Sequence, residues 1–348
     1  MATQSAASAS PEYLRISLAA AMTLGYLPGL FYRGAQLHCI NLLLTYPEGC
    51  QARCAYCGLS GGRPRVMPDE QSFIRVKWPT HPLADILARI GDRRGNIQRV
   101  CISMVTQRRA VSDAAEVCRR LRASVDLPVS LLITPTVLQQ GDLEEVRGAG
   151  VDKVGVAVDL ATPALFERFR GRGVKGPHEW DAYWDCYARA IEVFGTRQAG
   201  VHLIVGMGET EKEMCAAIQR ARDLGGETHL FSFFPERHSQ LETRVPPAMS
   251  HYRRVQIARH LIDANLTRLE DFAFDRNGRI RSFGLSLRDL EAIVDSGEPF
   301  RTSGCIGADG SVACNRPFAN SRPGPNLRNY PFPPTSDDLE RIRSQLRL

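Results

Sequence analysis

The sequence has no window approaching the roughly 18 uninterrupted apolar residues that a membrane-spanning helix requires, which excludes a helical membrane protein. Its opening, MATQSAASAS, is small and polar. No basic stretch followed by an apolar run is present there, so it reads neither as a secretory leader nor as an anchor. The expected location is the cytoplasm, with no membrane partner. Nucleic-acid modules, low-complexity tracts and repeats of a fixed motif are also missing. The net charge of +6 over 348 residues is modest and scattered. It reads as solvated surface, compatible with an acidic carrier protein and not calling for nucleic acid. Cysteine, by contrast, is plentiful. Ten Cys in a chain of this kind argue against a disulfide scaffold and for metal or catalytic use of some of them.

The densest chemistry is Cys50-Gln-Ala-Arg-Cys54-Ala-Tyr-Cys57. Three thiolates at this spacing can turn toward one inorganic centre. They are one short of the four that a cubane iron–sulfur cluster or a structural zinc takes, and no fourth ligand lies nearby. A site one ligand short leaves a metal open to a substrate or cofactor. The competing readings are a zinc knuckle and a chance cluster of cysteines. An apolar, strand-like run from His38 to Thr45 leads into the loop, and the aromatic Tyr56 precedes the last Cys. These residues resemble the radical S-adenosylmethionine (SAM) superfamily, whose signature is C-x3-C-x2-C with an aromatic before the third Cys. The resemblance implies a 4Fe–4S cluster on Cys50, Cys54 and Cys57, with SAM bound to the fourth iron.

Periodicity predicts an α/β chain. An amphipathic helix is expected over residues 11–27, closed by Pro28-Gly29. Strands are expected at Leu37–Thr45, Gln98–Val105, Val129–Thr134, Lys153–Val158, Gly200–Val205, Thr228–Phe234 and Arg268–Phe274. Helices are expected at Leu83–Ile90, Asp113–Leu121, Val137–Gly148, Pro163–Arg170, Trp180–Phe194, Thr210–Leu224, His251–Ala264 and Leu287–Val294. Alternation of strand and helix requires a parallel sheet with helical crossovers. Seven or eight such units predict a (βα) TIM-type barrel over residues 31–300, which the superfamily resemblance makes a radical SAM barrel. An N-terminal helical extension (1–30) precedes it, and a cysteine-containing tail (301–348), Pro-rich from Arg316 to Pro334, follows.

In the first strand Ile40, Leu42 and Leu44 face one way and Cys39, Asn41 and Thr45 the other. In the second, Val100, Ile102 and Met104 oppose Cys101 and Ser103. The polar sets are expected to face the lumen. Cys39 and Cys101 then lie at one depth, below the loop with Cys50, Cys54 and Cys57, which falls at the C-terminal ends of strands where barrel chemistry sits. Cys305 and Cys314 follow the last barrel helix. A tail folding back under the barrel brings both to Cys39 and Cys101, and four thiols fit one auxiliary iron–sulfur cluster of the 4Fe–4S type. The alternative makes Cys39 and Cys101 core fillers and the tail pair a zinc or redox loop. Cys118, Cys186 and Cys215, within helices at apolar spacing, read as packed small hydrophobes.

Gly200-Val-His-Leu-Ile-Val-Gly206-Met-Gly208-Glu209 resembles the superfamily's fifth-strand G-x-I-x-G-x-x-E motif beside adenine. Glycines there also suit a plain strand-to-helix turn. Asp159 ends the fourth strand, where relatives place a polar residue near the ribose; it equally reads as a helix N-cap. Relatives use an Arg after that strand for the SAM carboxylate, and Arg168, Arg170 and Arg172 are the candidates. The glycine-rich triplet of many relatives is here Ser103-Met104-Val105.

The layout as a whole resembles biotin synthase. Cys101 falls on that enzyme's first auxiliary-cluster Cys, whereas the other two would fall near Leu132 and at Gly200. Arg268 matches the Arg ligand of that cluster. The segments Cys39–Cys50 and Cys314-Asn-Arg-Pro317 look more like the two-protein lipoyl synthases. That resemblance implies a radical that takes hydrogen from an alkyl carbon and sulfur drawn from the auxiliary cluster. It also implies an octanoylated carrier protein as substrate, a homologous radical SAM protein as partner, and an electron donor such as ferredoxin or flavodoxin. Biotin synthase itself, a radical SAM enzyme of menaquinone or hydrogenase-cofactor biosynthesis, and a non-enzymatic iron–sulfur carrier or zinc adaptor are the rivals.

Overall fold

A computed structural model describes residues 8–63, 71–318 and 327–346. The polar opening lies largely outside these residues, at 1–7, and so does the middle of the Pro-rich tail, at 319–326. In chain order the elements are β1 (Tyr13–Ile16), α1 (Leu18–Thr23), β2 (Cys39–Leu44), β3 (Ser72–Phe73), β4 (Val76–Lys77), β5 (Thr80–Pro82), α2 (Leu83–Asp92), β6 (Arg99–Ser103), α3 (Ala110–Ser124), β7 (Val129–Ile133), α4 (Asp142–Gly148), β8 (Val151–Asp159), α5 (Pro163–Phe169) and α6 (Trp180–Phe194). They continue with β9 (Ala199–Val205), α7 (Glu211–Asp223), β10 (Glu227–Ser232), α8 (Met249–Asp263), β11 (Ala273–Phe274), β12 (Ile280–Ser282), α9 (Leu287–Ser296) and α10 (Ser336–Leu346).

The main sheet runs β10-β9-β8-β7-β6-β2-β1-β5. Its strands β2 and β6 to β10 are parallel to their neighbours, whereas β1 pairs antiparallel with both β2 and β5. This is a barrel-like α/β fold with six parallel strands, fewer than the seven or eight units expected. The difference sits at its two ends.

At the N-terminal end the expected helix over 11–27 is strand β1 followed by the short α1. Leu14 and Ile16 alternate with period 2 and are fully buried, which is a strand pattern. The otherwise open edge of β2 takes up their backbone groups. Arg15, between them, is also buried and donates from Nε to the Trp78 carbonyl at 2.9 Å and from Nη1 to Gln71 Oε1 at 3.0 Å. Ser17 then caps α1 by accepting from Ala20 N–H at 3.2 Å.

At the other end, Arg268–Phe274 is not a barrel strand. Leu269–Asp271 forms a 3-10 turn, and β11 pairs only with β12 in a separate hairpin. The parallel strands are covered on both faces: in β8 Val154, Val156 and Val158 lie buried on one face, while Gly155, Ala157 and Asp159 on the other line the lumen cavities. The segment RLEDFAF sets two adjacent charges, Glu270 and Asp271, in mid-run and buries only Phe272. The tail also ends in a helix that periodicity did not single out. α10 packs on α8, where the fully buried Arg253 donates to the Leu327 and Arg328 carbonyls at 2.6 Å each.

Register places the inner layer. Asn41 lies opposite Cys101, and Cys101 opposite Ser130, across β2, β6 and β7. His202 lies opposite His229 across β9 and β10. Residues 302–317 close the barrel's N-terminal end. Ile306 bridges Val312, and Ala313 N–H reaches the Cys305 carbonyl at 2.9 Å, so this small hairpin sets Cys305 beside Cys314. One of its links to the barrel is Arg99 of β6, which donates from Nε to the Ile306 carbonyl at 2.6 Å and pairs with Asp152 at 2.7 Å.

Candidate active site

Two cavities lie along the barrel axis. The upper one, at the C-terminal ends of the strands, is lined by Cys50, Cys54 and Cys57 together with Tyr56, Asp159, Arg170 and His178. Its empty volume is about 1140 Å³, counted together with the open solvent at its mouth. The lower one, of about 800 Å³, is lined by Asn41, Cys101, Ser130, Cys305, Cys314 and Arg316, among others. Ile74, Leu132, His202 and Phe231 line both, forming a neck between them.

The cysteine loop is fastened to the mouth of the barrel by its backbone. Gln51 N–H donates to the Thr106 carbonyl at 3.0 Å, Ala55 N–H to Phe169 at 2.8 Å, and Gly61 N–H to Ala52 at 2.7 Å. Two amides aim at sulfur: Thr106 N–H lies 3.4 Å from Cys50 Sγ and Leu59 N–H 3.3 Å from Cys57 Sγ. Burial pushes the Cys54 thiol up to about 12 and the Cys57 thiol well above its ordinary value. Deprotonation therefore accompanies metal binding rather than preceding it. No three His, Cys, Asp or Glu side chains among the described residues are set to close on a single metal ion. A four-iron cluster holds each thiolate on a different iron, so thiols spread around a cavity, with amides aimed at the sulfurs, fit it.

A buried polar chain ties the two ends of this loop together. Thr106 Oγ1 meets Thr134 Oγ1 at 3.4 Å, and Thr134 meets the Tyr183 hydroxyl at 3.2 Å. Arg170 donates from Nη2 to the Tyr183 oxygen at 3.0 Å and from Nη1 to the Tyr56 oxygen at 3.1 Å. Tyr56 in turn donates to Asp159 Oδ2 at 2.6 Å, and Arg170 pairs with the same carboxylate. Of the three candidate arginines, Arg170 alone is buried and on the cavity wall; Arg168 and Arg172 are exposed.

The helix-cap alternative for Asp159 does not hold. Thr162 caps α5, accepting from Leu165 N–H at 3.3 Å. Asp159 holds a left-handed φ of +66°, a conformation uncommon outside Gly, and is locked there by Tyr56 and Arg170.

The fifth-strand motif divides. Gly206 and Gly208 adopt φ of +103° and +118° in the turn after β9. Glu209 folds back, accepting from Gly206 N–H at 2.6 Å and Met207 N–H at 2.8 Å, so its carboxylate braces the turn. Gly200 sits at the opposite end of the strand, where an added Cβ would lie 2.9 Å from His229 Nε2. Its smallness makes room for a lumen histidine. A Cβ at Gly206 would also come within 2.6 Å of Pro247. Gly206→Ala is therefore expected to lower unfolding stability by roughly 1–3 kcal/mol, from strain in the left-handed region alone. Denaturant titration checks this, and an unchanged midpoint would refute it.

In the lower cavity, Cys39 and Cys314 pack together with Cys101 against Ala313. Asn41 Nδ2 lies 3.8 Å from the sulfurs of both Cys39 and Cys314. Cys305 lies within electrostatic reach of Cys314 and of the cations Lys153 and Arg99. Burial raises the Cys39 thiol, while its hydrogen bond to Cys314 lowers the latter, helped by Arg316 and Asn41. Thiols from two strands and the tail thus converge, with Arg99, Lys153 and Arg316 around them; a donor set of four thiols flanked by cations fits an anionic cluster. Arg268 is not among them. It is exposed and pairs with Asp223 and Glu270 on the outer surface, because its segment left the barrel, which corrects its expected place at the auxiliary site.

Arg170 apart, His178, Tyr183, His202, His229 and Arg316 were not singled out from the sequence. His202 and His229 interrupt apolar strands at inward positions, a usable signal; His178, in a loop, offers none.

A parallel barrel that carries C-x3-C-x2-C at its mouth, over a cavity braced by Arg170 and Asp159, defines a class. Residues 44–221, just over half of the chain, match the model of the Radical SAM superfamily, and the chain belongs to that superfamily. Membership implies a 4Fe–4S cluster and SAM. Among curated proteins, the biotin synthase of Bordetella petrii is 25% identical over 210 residues, 56% of each chain. The chain thus spans about half the length of the curated relative it matches. Among solved structures, the fold is similar to that of HydG, a maturase of the FeFe-hydrogenase, with a TM-score of 0.50 at 11% identity over 62% of this chain and 47% of that one. It is likewise similar to HydG from Carboxydothermus hydrogenoformans, with a TM-score of 0.51 at 14% identity over 86% and 75%. At such identities the likeness concerns the fold alone. Among the described residues, no helix is long and apolar enough to cross a membrane.

Proposed function

We propose that this radical SAM enzyme inserts sulfur, as one component of a two-protein lipoyl synthase acting on an octanoyl chain borne by a carrier protein. The observation that supports it most is the pair of cysteine sets on one axis, joined through a neck that is apolar at Ile74, Leu132 and Phe231. When bound, the family's cofactors supply a 5′-deoxyadenosyl radical at the upper site, after reduction by a donor such as ferredoxin or flavodoxin, and a sulfide at the lower. The chain's own residues do the rest. Thr106 and Leu59 amides stabilise the upper thiolates, and the chain of hydroxyls through Tyr183 and Arg170 holds Tyr56 and Asp159 in place. Asn41 and Arg316 face the lower thiols, and Ile74, Leu132 and Phe231 form the apolar part of the neck beside His202, limiting water on the path between the sites. A folded carrier cannot enter such a neck, so it docks at the rim while its acylated arm descends. A second, homologous radical SAM protein adds the other sulfur.

Mass spectrometry of an octanoylated carrier after a single turnover tests this. One added sulfur from this protein alone, and two only with the second protein, is expected. A second reading, biotin synthase, draws on the Bordetella relative and on the polar lining of the lower cavity by His202, His229, Ser303 and Arg316, which suits a compact polar substrate. Leu132 and Gly200, where that enzyme's other cysteines would fall, speak against it. Thiolation of dethiobiotin with no sulfur on the octanoyl chain would decide for it.

A further inference from the structure

His178 is the buried group of the upper cavity whose wiring leaves one atom unused. It is 2% exposed and lies on the cavity wall. Its Nδ1 is flanked by the hydroxyls of Tyr183, at 2.9 Å, and Thr136. The Tyr183 oxygen already accepts from Arg170 Nη2 at 3.0 Å, so its hydrogen is free to be donated. Nδ1 is its nearer acceptor, since Thr134 lies at 3.2 Å. Burial, with Arg170 close by, holds the ring's pKa down to about 2, so the imidazole is neutral and carries one proton. With Nδ1 accepting, that proton sits on Nε2. Nε2 has no partner among the described residues, nor is it among the buried polar atoms left unpaired in the core.

We infer that His178 is a further binding residue of the upper cavity, whose Nε2–H donates to a carboxylate oxygen at the amino-acid end of the bound ligand, beside Arg170. The inference rests on the family's use of SAM there. A fixed neutral N–H next to a guanidinium suits an anionic oxygen, because the donor adds a hydrogen bond without adding a charge that must be desolvated. Both groups are set by one hub, the Tyr183 hydroxyl, so the donor direction is fixed before the ligand arrives. Gln in place of His178 keeps an N–H donor of similar reach.

The test is anaerobic calorimetry on the reconstituted protein with S-adenosylhomocysteine and, separately, 5′-methylthioadenosine, which lacks the amino-acid end. We expect His178→Ala to weaken S-adenosylhomocysteine about tenfold, the loss of one hydrogen bond, to leave 5′-methylthioadenosine unchanged, and His178→Gln to recover most of the affinity. Unchanged binding of S-adenosylhomocysteine to His178→Ala, or equal weakening of both ligands, overturns the assignment. Should His178→Ala lose its cluster's electron paramagnetic resonance signal, the Gln variant decides: near wild-type affinity for both ligands supports the donor, and selective loss of S-adenosylhomocysteine overturns it. Failure of the unsubstituted protein to bind S-adenosylhomocysteine would instead remove the SAM site itself.

Discussion

Cys54→Ala is expected to reduce SAM cleavage to background. Cys54 is 7% exposed and sits at the centre of the loop, between the amide-supported Cys50 and Cys57 and within electrostatic reach of Arg170 and Asp159. With three thiolates on three irons, none is redundant, because removing one leaves an iron that no nearby side chain can take. Formation of 5′-deoxyadenosine by the reduced, reconstituted protein is the measurement. Iron should fall by about four per chain, the content of one cubane, and from about eight to about four if the lower thiols hold the proposed second cluster. The proper control is Cys118→Ala, a fully buried helix thiol remote from both cavities. It removes one sulfur from the core and should leave cleavage intact. Cleavage by Cys54→Ala at the rate of that control would end the assignment of this loop.

Cys39→Ala and Cys314→Ala are expected to separate the two sites. The pair is in hydrogen-bond contact beneath the neck, on a strand and on the tail hairpin respectively. Neither lines the upper cavity. Under the proposed sulfur-insertion function, each substitution should lower iron by about four per chain, yet leave SAM cleavage running without sulfur transfer. Product analysis then shows 5′-deoxyadenosine with no thiolated carrier. Iron unchanged at about eight, or sulfur still inserted, would remove these residues from the second site. The opposite pattern, loss of SAM cleavage together with sulfur transfer, would show that the tail hairpin supports the whole barrel rather than a separate centre.

Much of this arrangement was legible in the chain itself. Period-2 alternation placed Cys39 and Asn41 of β2, and Cys101 and Ser103 of β6, on the inner face, because a strand's side chains have only two directions to point. The spacing of Cys50, Cys54 and Cys57 identified the upper site, since close spacing alone brings three thiols to one loop. Even the eight-residue gap between Cys305 and Cys314 resolves locally: Ile306 and Val312 pair, and the gap becomes a turn.

What the chain alone did not decide was which segments complete the sheet and which side chains partner across it. The segment at Tyr13–Ile16 carries enough Leu, Ile and Ala nearby to pass for a helix, and became a strand because β2 offered an open edge. Arg268–Phe274 is apolar enough at its end to pass for a strand, and became an outer turn and hairpin because its adjacent charges, Glu270 and Asp271, leave only Phe272 to bury. Arg170 could not be told from Arg168 and Arg172 by position along the chain. The packing of α5 against the cysteine loop turned one of the three inward, to Tyr56 and Asp159. His178 reached the cavity through a loop with no period at all. Local pattern fixes the direction of a side chain wherever the backbone repeats. Between repeats, direction is set by whichever distant partner satisfies the buried group, and that partner exists only once the chain has folded.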